Sequence, residues 1–172
     1  LGVPVAAHAH AAEGIRQAVA AGVRSIEHGT YIDDEGIRMM AKQGTFLVPT
    51  VYMGDYYAQG DKLLAQDKND EYIKHGRGEF LAAIARAQRA GVKVVVGLDL
   101  GAGAVEPSLY AREFAVFVEA GMPPMAAIQA GTSVAAELLG WDDRLGTLER
   151  GKLADIIAVP GNPLTDISAL ER

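Results

Sequence analysis

Cysteine is absent from this chain, which excludes disulfides and any thiolate nucleophile or ligand. A metal site here must therefore be built from histidine and carboxylates. A cationic surplus is missing too: 16 Lys and Arg face 22 Asp and Glu, for a formal net charge of -6. Nucleic acid is not an expected partner, because phosphate binding draws on an excess of Lys and Arg. No apolar run approaches the roughly 20 residues that cross a bilayer, so no membrane partner is expected; the chain is expected to be cytoplasmic, with a signal peptide upstream of Leu1 left open. Histidine is scarce, with four in 172 residues. Three of the four lie in one stretch, "VAAHAHAAEGIRQAVAAGVRSIEHGT", residues 5 to 30.

What is present is a globular composition. Apolar residues make up 49% of the chain, enough for a sizeable core, and the 20 glycines are spread rather than clustered. The length fits one ordinary domain or part of a larger one. The chain starts at Leu1 inside a strand-like run, and the expectation is a piece of a longer protein.

The order of elements reads as repeating βα units. "GVPVAAH" (2 to 8) is a short apolar run of strand type, followed by a helix that stops at Gly22. "VRSIEH" (23 to 28) is the second strand, and Asp33 or Asp34 caps the next helix, which ends near Gly44. "TFLVPT" (45 to 50) is the third strand. The polar stretch 51 to 70 reads as a long loop, and a helix follows from about Glu71 to Ala90. "VKVVVGLD" (92 to 99) is a fourth strand. One helix is expected near 109 to 120, ended by Gly121. A second begins at Pro123-Pro124 and sets Met125, Ile128, Thr132, Ala135 and Leu139 on one face. Such units pair in parallel sheets with helices outside, and near-continuous apolar strands suit a sheet buried on both faces. After Trp141 the pattern changes to a turn-rich β segment, with "ADIIAV" (154 to 159) as a strand of a different sheet.

In parallel α/β architectures ligands meet the carboxyl ends of strands. His8 closes the first strand, His28 the second and Asp99 the fourth. Each alone reads as a satisfied polar residue at a strand end. Together, two imidazoles and a carboxylate make a catalytic zinc set with a position open for water. His10, two residues beyond His8, shares its strand face, and is expected to support the ligands or contact substrate rather than to ligate. Glu27 should point away from His28 by strand alternation and is read as structural. Asp33, Asp34 and Glu35 favour a helix dipole. His75 reads as a solvated helix residue, and Glu106 as a solvent-exposed loop residue.

The stretch 5 to 30, "GLDLG" (97 to 101) and "TSVAAELLGWDDRLGTLERGKLADIIAVPGNPLTDISAL" together resemble the amidohydrolase superfamily. The nearest branch is that of imidazolonepropionase-like and prolidase-like hydrolases. The resemblance covers nearly the whole chain and is weakest from 51 to 75. It implies an α/β fold: the second half of a (β/α)8 barrel over residues 1 to 140, with the returning strands of a small β-sandwich over 141 to 172. It also implies one or two divalent metals, most often zinc. The family's fifth-strand histidine matches His8, its sixth-strand histidine His28, and its eighth-strand aspartate Asp99. Where the family has Gly-Thr-Asp or Gly-Ser-Asp, this chain has Gly97-Leu98-Asp99 and loses a hydroxyl. The family's first-strand His-x-His and bridging lysine would precede Leu1. His8-Ala-His10 could itself be that His-x-His, but only four βα units separate it from the closing "GTLERGKLADIIAV", where a first strand needs eight.

The implied activity is hydrolysis of amide or cyclic amide bonds, with dipeptides among the substrates. Asp99 would act as the general acid-base. A different class stays open: a non-catalytic half-barrel serving as a binding or assembly module. On either reading a lone half-barrel exposes sheet edges and apolar surface. The chain is expected to need its N-terminal half or a second copy, and to hydrolyse little alone.

Overall fold

The computed structural model describes residues 2–60, 76–99 and 107–172. Three short parallel strands, β1 (Ala6–Ala9), β2 (Ser25–His28) and β3 (Phe46–Val48), form a sheet in that spatial order. The run 92–99 lies along the free side of β3, with Val94 bridged in parallel to Leu47. Leu47 donates to the Lys93 carbonyl at 2.9 Å, and Val95 donates to the Leu47 carbonyl at 2.8 Å. The expected fourth strand is thus a single parallel bridge, with the neighbour and direction that a fourth strand would have.

Helix α1 (Ala12–Ala20) follows β1, and α2 (Asp34–Gln43) follows β2. Ile15 and Val19 of α1, four residues apart, are fully buried, as is Met40 of α2. They pack on Ile26 and Leu47 of the sheet in one continuous core. Burying each such side chain stabilises by about 1.5–3 kcal/mol. Of the two aspartates expected to cap α2, Asp33 does so, its Oδ1 accepting from the Gly36 N–H at 2.8 Å. Gly44 closes α2 in the left-handed conformation, at φ 71°. Such a cap leaves most side chains strained, which is why glycine stands there.

The remaining helices are α3 (Val51–Gly60), α4 (Arg77–Arg89), α5 (Arg112–Glu119), α6 (Pro124–Ala130) and α7 (Ser133–Leu139). α5 ends before Gly121 as the sequence indicates, with Gly121 at φ 93°. Arg77 ties three of these helices together. It holds Asp55 of α3 at 2.6 and 2.8 Å and Glu119 of α5 at 2.7 and 2.8 Å.

Three expectations change. Residues 51–60 are helical rather than loop, because the first N–H groups of α3 find a partner on α5, far away in sequence. The helix expected after Pro123-Pro124 is two helices. A Cβ on Gly131 would lie 2.4 Å from the Phe114 ring, and at that close approach Thr132 leaves helical geometry. Met125 and Leu139 are consequently exposed, at 49% and 65%, and the buried members of α6 and α7 are Ala127, Ala130 and Ala136. Finally, 154–159 forms no strand. A strand exists only by pairing, and no described segment lies along it. Ile156 and Ile157 are left 64% and 80% exposed.

No helix among the described residues is long and apolar enough to cross a membrane.

Candidate metal centre

The pairing register decides which side chains share a face. His8 lies opposite Glu27, and Glu27 opposite Val48. Residues in register point the same way, so His8 and Glu27 look onto one surface. His10, Thr50 and Asp99 each stand two positions beyond a residue of that surface (His8, Val48 and Gly97).

His28 should by the same rule face the helices. It does not, because its backbone is left-handed, at φ 70°. Thr50 and Asp99 share that feature, at φ 53° and 52°, and these are the only non-glycine residues of positive φ among those described. Each such residue costs on the order of 1–3 kcal/mol and persists only where its surroundings enforce it. All three stand where chain runs of the sheet end, around a single site.

The geometry that results is compact. One ligand atom from each of His8, His10 and His28 lies within 4.8 Å of the others. The His8 ring meets His28 edge-on at 4.5 Å between centroids, and His10 stacks on His28 at 4.9 Å. The Asp99 carboxylate lies 3.9 Å from His28 Nε2. Two threonines hold the rings: Thr50 Oγ1 is 2.7 Å from His28 Nδ1, and Thr30 Oγ1 is 2.9 Å from His10 Nδ1. With each Nδ1 occupied, Nε2 is the nitrogen available for coordination, the usual arrangement for histidine metal ligands.

His28 stands between two cavities. One, of about 240 Å³, is lined by His8, Glu27, Thr50, Gly97 and Asp99. The other, of about 350 Å³, is walled by His10, Thr30, Tyr31, Pro49, Met53 and Phe80. The first gathers the carboxylates, and the second has an apolar wall. A larger cavity of about 560 Å³ lies away from the histidines, between α6, α7 and the tail, with Asp155 its only ionisable residue.

Electrostatics follow from this crowding. Burial pushes the His28 imidazole below its ordinary value, and the neighbouring His10 and His8 add to that, against the pull of Asp99. His10 is lowered by burial and then by His8. Both shifts favour the neutral imidazole, the form that binds metal. Burial raises the Glu27 carboxyl and Asp99 adds to the rise, while the Ser25 hydroxyl, donating at 2.5 Å, opposes it.

Of the residues singled out in the sequence, His8, His28 and Asp99 line one cavity, and His10 joins the histidine group from the other. The alternation reading of Glu27 is corrected. Glu27 obeys the alternation and faces the site, and His28 is the residue that departs from it. His75 and Glu106 lie outside the described residues. Sequence reading missed Thr30 and Thr50. Their signal is a threonine following each strand-end motif, "GT" and "PT", twenty residues apart.

Comparison with known proteins accords with this geometry. The family model described as "Amidohydrolase family" matches residues 1–172. The chain is 33% identical over 170 residues to ochratoxinase of Aspergillus niger, covering 97% of this chain and 34% of that protein. It is 30% identical over 166 residues to imidazolonepropionase of Rhizobium rhizogenes, covering 91% of this chain and 35% of that protein. It superposes on a solved Xaa-Pro dipeptidase, with methionine bound in its active site, at a TM-score of 0.86 and 42% identity, over 99% of this chain and 42% of that one. The chain spans about a third of the length of these two curated relatives. Members of this superfamily typically use divalent metals, and a histidine group beside a carboxylate at the strand ends is a donor set suited to one. By its whole-length match and by these relatives, the chain belongs to the amidohydrolase family.

Proposed function

We propose that this chain carries half of the active site of a metal-dependent hydrolase that cleaves C–N bonds in amides, cyclic amides or dipeptides. The observation that carries the reading is the convergence of His8, His28 and Asp99 on one cavity, with both ring nitrogens of His28 given a task.

His8 and His28 would hold a divalent metal, most often zinc in this family, with Asp99 binding or bordering it. A metal bound there supplies Lewis-acid activation of water and of the scissile carbonyl. Asp99 accepts the proton of the attacking water and delivers it to the leaving nitrogen, as a general acid-base. Its side chain is 62% exposed, open to the space where a substrate would sit. His10, which also lines the neighbouring cavity with Tyr31, Met53 and Phe80, contacts the substrate rather than the metal. The likeness to a dipeptidase and to ochratoxinase supports an amide substrate.

The fold reading is a (β/α)8 barrel of which residues 1–140 form the second half, with 141–172 returning to a small β-sandwich. Support comes from the parallel order β1-β2-β3-(92–99) and from apolar surface left uncovered at Val3, Val5, Leu148, Ile156 and Ile157. That surface fits an N-terminal half or a second copy of the chain.

The test is hydrolysis of Xaa-Pro and N-acyl amino-acid substrates by the complete gene product, before and after chelation. Loss on chelation and return with zinc are expected. Hydrolysis indifferent to chelation would overturn the reading.

A further inference from the structure

Helix α3 begins at Val51, which places Thr50 at its N-cap. Threonine there ordinarily turns its hydroxyl onto the N–H of the second or third helical residue. Here the Thr50 hydroxyl lies against His28 Nδ1 at 2.7 Å instead. The first two orphan donors of the helix are taken by a carboxylate from another element. Glu113 of α5 accepts from the Val51 N–H at 2.9 Å through Oε1 and from the Tyr52 N–H at 2.7 Å through Oε2.

A carboxyl with no exposed surface is expensive to bury without partners, and Glu113 is 0% exposed. Its two N–H donors and the positive end of the α3 dipole supply compensation. A cap alone would not need this arrangement, since a threonine already precedes the helix and only its left-handed backbone, at φ 53°, keeps its hydroxyl from the extended-backbone cap it would otherwise make. What the distant carboxylate adds is a vacancy in the duties of Thr50.

We infer that Glu113 is a positioning residue, which caps α3 from α5 and so releases the Thr50 hydroxyl to hold the His28 ring. The left-handed backbone of Thr50 belongs to the same device. It turns a β-branched residue, for which positive φ is a genuine outlier, so that its hydroxyl meets the ring and its successors meet Glu113. When Glu113 is lost, Thr50 is free to cap its own helix, and His28 loses the partner that fixes which nitrogen faces the metal cavity.

The functional consequence rests on the metal reading above, but the positioning itself does not, and the two are separable by experiment. Ring 15N shifts of the histidines would be recorded in the complete, metal-free gene product and in its Glu113→Gln and Val116→Ala variants. Gln presents one acceptor oxygen where Glu presents two. Val116→Ala removes buried apolar volume from the same helix and leaves both N–H groups of α3 with their partner. The expectation is that Glu113→Gln moves the His28 ring signals and Val116→Ala does not, even where both lower the melting temperature. Thr50→Val should reproduce the Glu113→Gln shifts, and the double variant should add nothing further. Zinc titration should show Glu113→Gln and Thr50→Val binding roughly 10-fold more weakly than wild type, the scale of losing a partner of a metal-ligating histidine. If Glu113→Gln does not fold, Glu113→Asp, one carbon shorter, takes its place in the same comparison with Thr50→Val. His28 signals unmoved by the Glu113 variant, or moved equally by Val116→Ala, would overturn the inference. A wild-type protein that binds no zinc would overturn the metal reading alone, with the His28 shifts still deciding the role of Glu113.

Discussion

Gly97 offers a test that joins packing to the site. A Cβ at this position would lie 2.4 Å from Val48 Cγ1, about 1 Å inside ordinary carbon contact. Val48 is itself 7% exposed, packed with Phe46 and Val95 against Val134, Ala135 and Leu138 of α7, so it has little room to retreat. Gly97→Ala should therefore destabilise by about 1–3 kcal/mol, the range for adding a methyl to a filled core. Val48→Ala alone removes two carbons and leaves a void, at a cost of about 2 kcal/mol. If the two sites were independent the double variant would lose about 4 kcal/mol. The new Gly97 methyl instead points into the space that Val48 vacates, so the double variant should lose only about 2 kcal/mol, a coupling of about 2 kcal/mol. Chemical denaturation of the four proteins closes this cycle. Zinc titration adds a second reading, because Gly97 stands two residues before Asp99. Affinity should fall in Gly97→Ala and recover in the double variant. Additive stability losses, or a Gly97→Ala protein as stable as wild type, would refute the close approach of the 92–99 run to β3.

His8→Ala and His28→Ala should each abolish stoichiometric zinc binding, while His10→Ala should retain the metal and raise KM. Metal analysis beside steady-state kinetics separates them, and loss of zinc from His10→Ala would move His10 into the coordination sphere. Asp99→Asn should keep the fold and the melting temperature but remove nearly all hydrolysis, since the amide cannot carry the proton; a variant with most of its activity would take Asp99 out of that role. In the metal-free protein His10 and His28 lie below their ordinary 6.5. The unfolded chain then binds more protons as pH drops, so stability should be fully present above pH 6.5 and be lost below it. Thermal melts between pH 5 and 8 check this, and His28→Asn should flatten the slope.

The βα order was legible because its signals are local. Gly22, Gly44 and Gly121 mark helix ends, Asp33 caps α2, and Ile15 with Val19 gives the period of α1. His8, His28 and Asp99 were legible because they close apolar runs. What local sequence did not carry was long-range. The cap of α3 comes from Glu113, and the split between α6 and α7 reflects the Phe114 ring against Gly131. The facing of Glu27 and His28 depends on register and on one left-handed residue, and neither is written in a strand's own alternation. Residues 154–159 have the composition of a strand but find no neighbour among the described residues.

The most direct test of the central claim is metal content measured against activity in the complete gene product, wild type and His28→Ala side by side. The wild type should hold stoichiometric divalent metal, lost together with amide hydrolysis on chelation, restored together by zinc, and absent in His28→Ala. Undiminished hydrolysis by a metal-free wild type, or by His28→Ala, would contradict it.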